Sequence, residues 1–141
     1  MPSCRAGRSP HRMVPALAWL ALLSSGCGAE GPDLIDVTGV VTFNGLPARA
    51  EVLFEPVSPE GEPGGRASSA WTRPDGSFRL GFTRERFGAI PGRHRVRIEI
   101  LRPESSDVNA SFEESTAAVK SVRLVREVSA AENQFNFAIS W

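Results

Sequence analysis

From residue 34 onward, apolar side chains fall on every second position rather than every third or fourth, the period of half-buried strands. Ile35, Val37, Gly39, Val41 and Phe43 share one face, with Asp36, Thr38 and Thr42 opposite. Asn44-Gly45 then offers the two left-handed residues a tight hairpin needs. Ala50, Val52 and Phe54 alternate with Glu51 and Glu55 until Pro56 ends the run, and SPEGEPGG (58–65) reads as a loop. A strand pattern returns over 66–73, and Pro74-Asp75-Gly76 turns it into Phe78 and Leu80. After a loop ending in Ile90-Pro91-Gly92, His94, Val96, Ile98 and Ile100 alternate with Arg93, Arg95, Arg97 and Glu99. Residues 102–118 are polar and irregular. Val122, Leu124 and Val128 mark a sixth strand, and Phe135, Phe137 and Ile139 a seventh.

Seven short strands separated by Gly/Pro turns predict an all-β, two-sheet sandwich rather than a closed barrel. Phe43, Phe54, Phe78, Phe135 and Phe137 are the expected core. The 141-residue chain is long enough for one such domain.

Ahead of residue 34 the pattern is different. MPSCRAGRSPHR carries Arg5, Arg8 and Arg12 with no acid, and Met13–Leu23 is an apolar run of eleven residues. A spanning helix needs about 20 such residues; a basic start, a short apolar run and then small residues describe a secretory signal. Ser24-Ser25-Gly26 supplies the small residues and Cys27 follows at once. This arrangement resembles the lipobox of bacterial lipoproteins, with Ser24 where Leu is usual and Leu23 one position earlier. The resemblance implies cleavage between Gly26 and Cys27 and a diacylglyceryl group on the Cys27 sulfur. Two acyl chains are what stable anchoring requires, at about 0.8 kcal/mol per buried methylene. Gly28 after the cysteine implies no inner-membrane retention, so an exported protein on the outer membrane is favoured. The division expected is a signal peptide over 1–26, the lipidated cysteine and tether over 27–34, and the sandwich over 35–140.

Charge and composition narrow the function classes. Formal net charge is zero, and removing the three N-terminal arginines leaves thirteen basic residues against sixteen acidic, a formal −3. Binding to nucleic acid through its phosphates is not expected of such a chain. Cys4 and Cys27 are the only cysteines, both outside the strand-rich region, so no disulfide framework holds the body.

Several residues are candidates for chemistry. His94, the only histidine after the signal, sits in line with Val96 and Ile98 and reads as a packed or hydrogen-bonded core residue. No His/Cys/Asp/Glu cluster has metal-ligand spacing. Glu113-Glu114 and Glu60/Glu62 lie in polar loops, where carboxylates are solvated. Asp75-Gly76 reads as a turn rather than a calcium loop, and Asn109-Ala110-Ser111 as an accidental glycosylation sequon. No catalytic residue, metal or cofactor is therefore expected. Arg93, Arg95 and Arg97 form a row with members about 7 Å apart. The row reads either as a solvated outer face paired with neighbouring acids or as a contact for anionic headgroups or acidic glycans. Trp71 reads either as a cap on the core or as a platform for a sugar.

Taken in order, Val37-Thr38-Gly39-Val40-Val41, Asn44-Gly45-Leu46-Pro47, Ala50–Pro56, Thr72–Phe78, Pro91–Val96 and Asn133–Phe137 resemble the bacterial envelope lipoproteins with a carboxypeptidase regulatory-like domain. His94 stands where that family often has Tyr, and Ala131 where it usually has Gly. The resemblance implies a Greek-key, transthyretin-like sandwich without catalytic residues. The function expected is a membrane-anchored module for interaction or assembly with an envelope protein. A carbohydrate- or wall-binding module on the same scaffold is the alternative.

Overall fold

The computed structural model describes residues 31–102 and 118–141. Over these residues the chain is all-β, with strands β1 (Thr38–Phe43), β2 (Leu46–Pro47), β3 (Ala50–Pro56), β4 (Ser68–Trp71), β5 (Ser77–Arg79), β6 (Gly92–Leu101), β7 (Ala118–Val128) and β8 (Gln134–Ile139). The strands form two four-stranded sheets. In one, β1 pairs antiparallel with β2 and β5 and parallel with β8. In the other, the order is β4-β3-β6-β7 and every pair is antiparallel.

The strand count corrects the expectation of seven to eight among the described residues. The additional one is β2, the returning arm of the Asn44-Gly45 hairpin, which spans two residues and is too short to show alternation. Asn44 and Gly45 both have positive φ, 51° and 82°, the pairing that matches hairpin twist to strand twist. The strand expected over 66–73 contracts to β4, and β7 starts at Ala118, four residues before Val122, where the alternation becomes regular.

Both sheets contribute to one core. From the first come Val41, Phe78, Phe135 and Phe137, with Val37 just ahead of β1; from the second, Val52, Phe54, Val96 and Ile98, all buried. Phe54 is the hinge of the packing, with ring centroids 5.5 Å from Phe135 and 6.4 Å from Phe137. Burying such a side chain contributes about 1.5–3 kcal/mol. Phe43, also expected in the core, is half-buried at the end of β1 and packs edge-on against Trp141 at 5.2 Å. Gly39 is the point of closest approach. A Cβ there would collide with the Phe135 carbonyl and the Phe78 ring, so a strand position that would ordinarily favour a side chain is held by glycine.

Candidate functional site

The outer face of the β4-β3-β6-β7 sheet carries the arginine row. Strand alternation sends His94, Val96, Ile98 and Ile100 into the core, which turns Arg93, Arg95 and Arg97 outward. Their surroundings are acidic. Arg95 forms an ion pair with Glu55 across the β3–β6 ladder at 3.3 Å and donates to the Gly61 carbonyl at 3.2 Å. Arg97 lies 3.5 Å from Glu99, and Arg93 is in register with Glu127. The solvated face paired with acids thus accounts for two of the three arginines directly.

One juxtaposition runs against that compensation. Arg97 is in register with Arg123 of β7, and like charges opposite one another in a ladder repel. The two guanidiniums, with Arg95, Leu53, Glu55 and Ala67, line a groove of about 540 Å³ on this face. Arg123 was not among the residues singled out from the sequence, because its spacing within β7 says nothing about what it meets on β6.

Trp71 closes β4 opposite Glu51. It is 56% exposed, so it does not cap the core. The reason is parity: Ala70 takes the inward position beside Val52, leaving Trp71 beside Glu51 on the outside. Exposed tryptophan beside the Glu51 carboxylate offers a flat apolar surface with a hydrogen-bonding neighbour.

His94 lies where alternation places it, 1% exposed. Its Nδ1 donates to the Gly92 carbonyl at 3.0 Å, which leaves Nε2 buried without a partner among the described residues. Burial pushes its pKa below the ordinary histidine value, only partly opposed by the Gly92 hydrogen bond and the Glu127 charge. The ring is therefore neutral at pH 7. The Ser68 hydroxyl is also buried without a partner, but it sits opposite Phe54 on β4 while His94 pairs with Pro56, so the two are separated by the width of β3.

A second concavity opens at the end of the sandwich where the β1–β2 hairpin meets the end of β6. It encloses about 560 Å³ and is lined mainly by apolar groups, including Phe43, Leu46, Pro47, Pro74, Leu101 and Val119. Leu46 is 70% exposed at its rim. Thr72 braces the rim by accepting from the Ala50 amide at 2.8 Å and donating to the Ala48 carbonyl at 2.7 Å. Asp75, weighed as a calcium ligand, is used otherwise: one carboxylate oxygen accepts from the Ser77 amide at 2.9 Å and its hydroxyl at 2.6 Å. Those two bonds hold its pKa below the usual carboxylate value.

Among the described residues, no three His, Cys, Asp or Glu side chains converge as a metal site, and no helix is long and apolar enough to cross a membrane. Gly26, Cys27, Asn109–Ser111, Glu113 and Glu114 lie outside the described residues. No family model and no curated protein matches this chain.

Proposed function

We propose that this protein is a non-catalytic lipoprotein of the bacterial envelope, exported, acylated on Cys27 and presenting its all-β body as an interaction or assembly module. The observation that carries the reading is the order LLSSGCGAE followed by a strand-rich body. Small residues precede a cysteine, and the first backbone pairing of the body, Ile35 with Ala89, comes only eight residues after it. A chain of that length reaches about 30 Å at most, so the body works close to the membrane that holds the acyl chains. Its two sheets are read as a Greek-key sandwich of the carboxypeptidase regulatory-like type.

The test is fractionation of cells making the wild-type chain or Cys27→Ser. Wild type partitions with membranes at the mass of a processed, acylated chain, whereas Cys27→Ser is recovered at the unprocessed precursor mass or soluble. Recovery of both from membranes at the same processed mass would end the reading.

One observation favours a second reading of the same body. Trp71 stands exposed beside Glu51, in a sheet whose outer face also carries Arg95 and Arg97. Stacking on a sugar ring with polar neighbours suits a glycan or wall polymer. Retention of the protein on immobilised envelope glycan, lost in Trp71→Ala, would move the function to glycan binding.

A further inference from the structure

The long edge of the second sheet is a self-complementary strand, and we infer that two copies of the chain pair through it. The inference deepens the reading of the body as an assembly module by naming its partner as a second copy. It does not depend on the acyl anchor.

The direction of the backbone groups can be read from the hydrogen bonds. The Val57 amide donates to the Arg93 carbonyl at 2.9 Å and the Leu101 amide to the Arg49 carbonyl at 2.8 Å. Odd-numbered residues of β6 therefore turn their N–H and C=O groups toward β3. Alternation turns the even-numbered ones toward β7, where they meet Lys120, Val122, Leu124, Arg126 and Val128. Ser121, Arg123, Val125 and Glu127 consequently aim both backbone groups away from the sheet. The Arg126 guanidinium reaches the Val125 carbonyl at 2.8 Å, in keeping with an oxygen that points away from the β6 ladder. Among the described residues no strand pairs with this edge.

An unpaired edge of eleven residues is a template for another strand, and the sequence of this one specifies which. Consider two copies antiparallel about a two-fold axis through Val125. Arg123 then faces Glu127 of the other copy, twice, and Val125 faces its equivalent. All three pairs use outward-pointing backbone groups, so each is a hydrogen-bonded pair with Cα atoms about 5.5 Å apart. On the inner side Val122 faces Val128, and the aliphatic stem of Arg126 lies along Leu124.

Three features of the single chain are explained together. Val125, an apolar β-branched residue, is 48% exposed, between Arg123 and Glu127 on the outer face of β7. Neither Arg123 nor Glu127 forms an ion pair among the described residues. Arg123 is also set against Arg97, a repulsion that a carboxylate from a second copy relieves. Moving the axis by one step to Leu124 sets Arg123 against Val125 and Glu127 against Ser121, and moving it to Arg123 sets that arginine against itself. The register centred on Val125 alone brings opposite charges together.

The product is a dimer with one continuous eight-stranded sheet. The test is the mass of the full-length chain in mild detergent, measured by light scattering over a dilution series. Wild type is dimeric. Arg123→Glu and Glu127→Arg each place like charges across the axis twice and raise the dimer dissociation constant about tenfold or more. The double exchange, Arg123→Glu with Glu127→Arg, restores the dimer. Val125→Pro removes an outward N–H that the β6 ladder does not use and yields a monomer with an unchanged circular-dichroism spectrum. A monomeric wild type, or single variants as dimeric as wild type, overturns the inference. Detection of acylated Cys27 in the same sample decides the anchor separately, so a lipidated monomer and an unlipidated dimer are distinguishable failures.

Discussion

His94 donates its Nδ1 hydrogen to the carbonyl oxygen of Gly92 two residues earlier, at 3.0 Å, and by doing so fixes the tautomer that leaves Nε2 bare in the core. An added proton would have to sit on that buried nitrogen, in an imidazole whose ring centroid lies 5.8 Å from that of Phe54. The charged groups closest to it in register are Arg126, which opposes protonation, and the neighbouring Glu127, which favours it.

Because burial lowers the folded-state pKa of His94, the unfolded chain takes up a proton first as pH falls. The contribution of the neutral ring is complete above about pH 6.5, the unfolded value, and is lost as pH drops from there through the folded pKa. Stability should fall by up to about 1.4 kcal/mol per pH unit in that window. Unfolding curves of wild type and His94→Leu between pH 8 and pH 5 check this: the stability of wild type relative to His94→Leu should be constant above pH 7 and fall below 6.5. Parallel curves throughout would contradict it.

Phe54 touches the rings of His94, Phe135 and Phe137 and has no exposed surface. Phe54→Ala should cost about 3–5 kcal/mol in denaturant unfolding. Phe43→Ala, at a half-buried position, should cost clearly less. Equal costs would mean that the core extends over the end of β1.

Gly45 has φ of 82° and open space where a side chain would go. Steric clash is thus absent and only backbone conformation opposes substitution. Gly45→Ala should destabilise by about 1–2 kcal/mol, and Gly45→Val by more because a β-branched side chain tolerates that region least. Thermal unfolding of the two variants gives the order.

Trp71→Ala should leave stability within about 0.5 kcal/mol of wild type, since the side chain is more than half exposed. Loss of 2 kcal/mol or more would show that the indole supports the sheet and would reassign it from surface to packing.

How much of this was legible in the sequence depends on which relationships lie within one strand. Alternation alone places Val96 and Ile98 inside and Arg95 and Arg97 outside, because the two-residue period is a property of a single strand. The Asn44-Gly45 turn and the burial of Phe54, Phe78, Phe135 and Phe137 follow from equally local chemistry. Relationships between strands were not legible. That Arg97 faces Arg123, that Arg95 reaches Glu55, and that Trp71 shares a rung with Glu51 all depend on register. Register is set by turn geometry and by the whole core, and no short segment records it. Leu46-Pro47 escaped for a different reason: two residues carry no period.

The central claim is that the mature chain begins at an acylated Cys27. Intact-mass and N-terminal peptide mass spectrometry of the protein recovered from envelope membranes tests it most directly. The account predicts a chain starting at Cys27 with a diacylglyceryl group on its sulfur and residues 1–26 absent. A mature chain that retains residues upstream of Cys27, or begins there with an unmodified thiol, would contradict it.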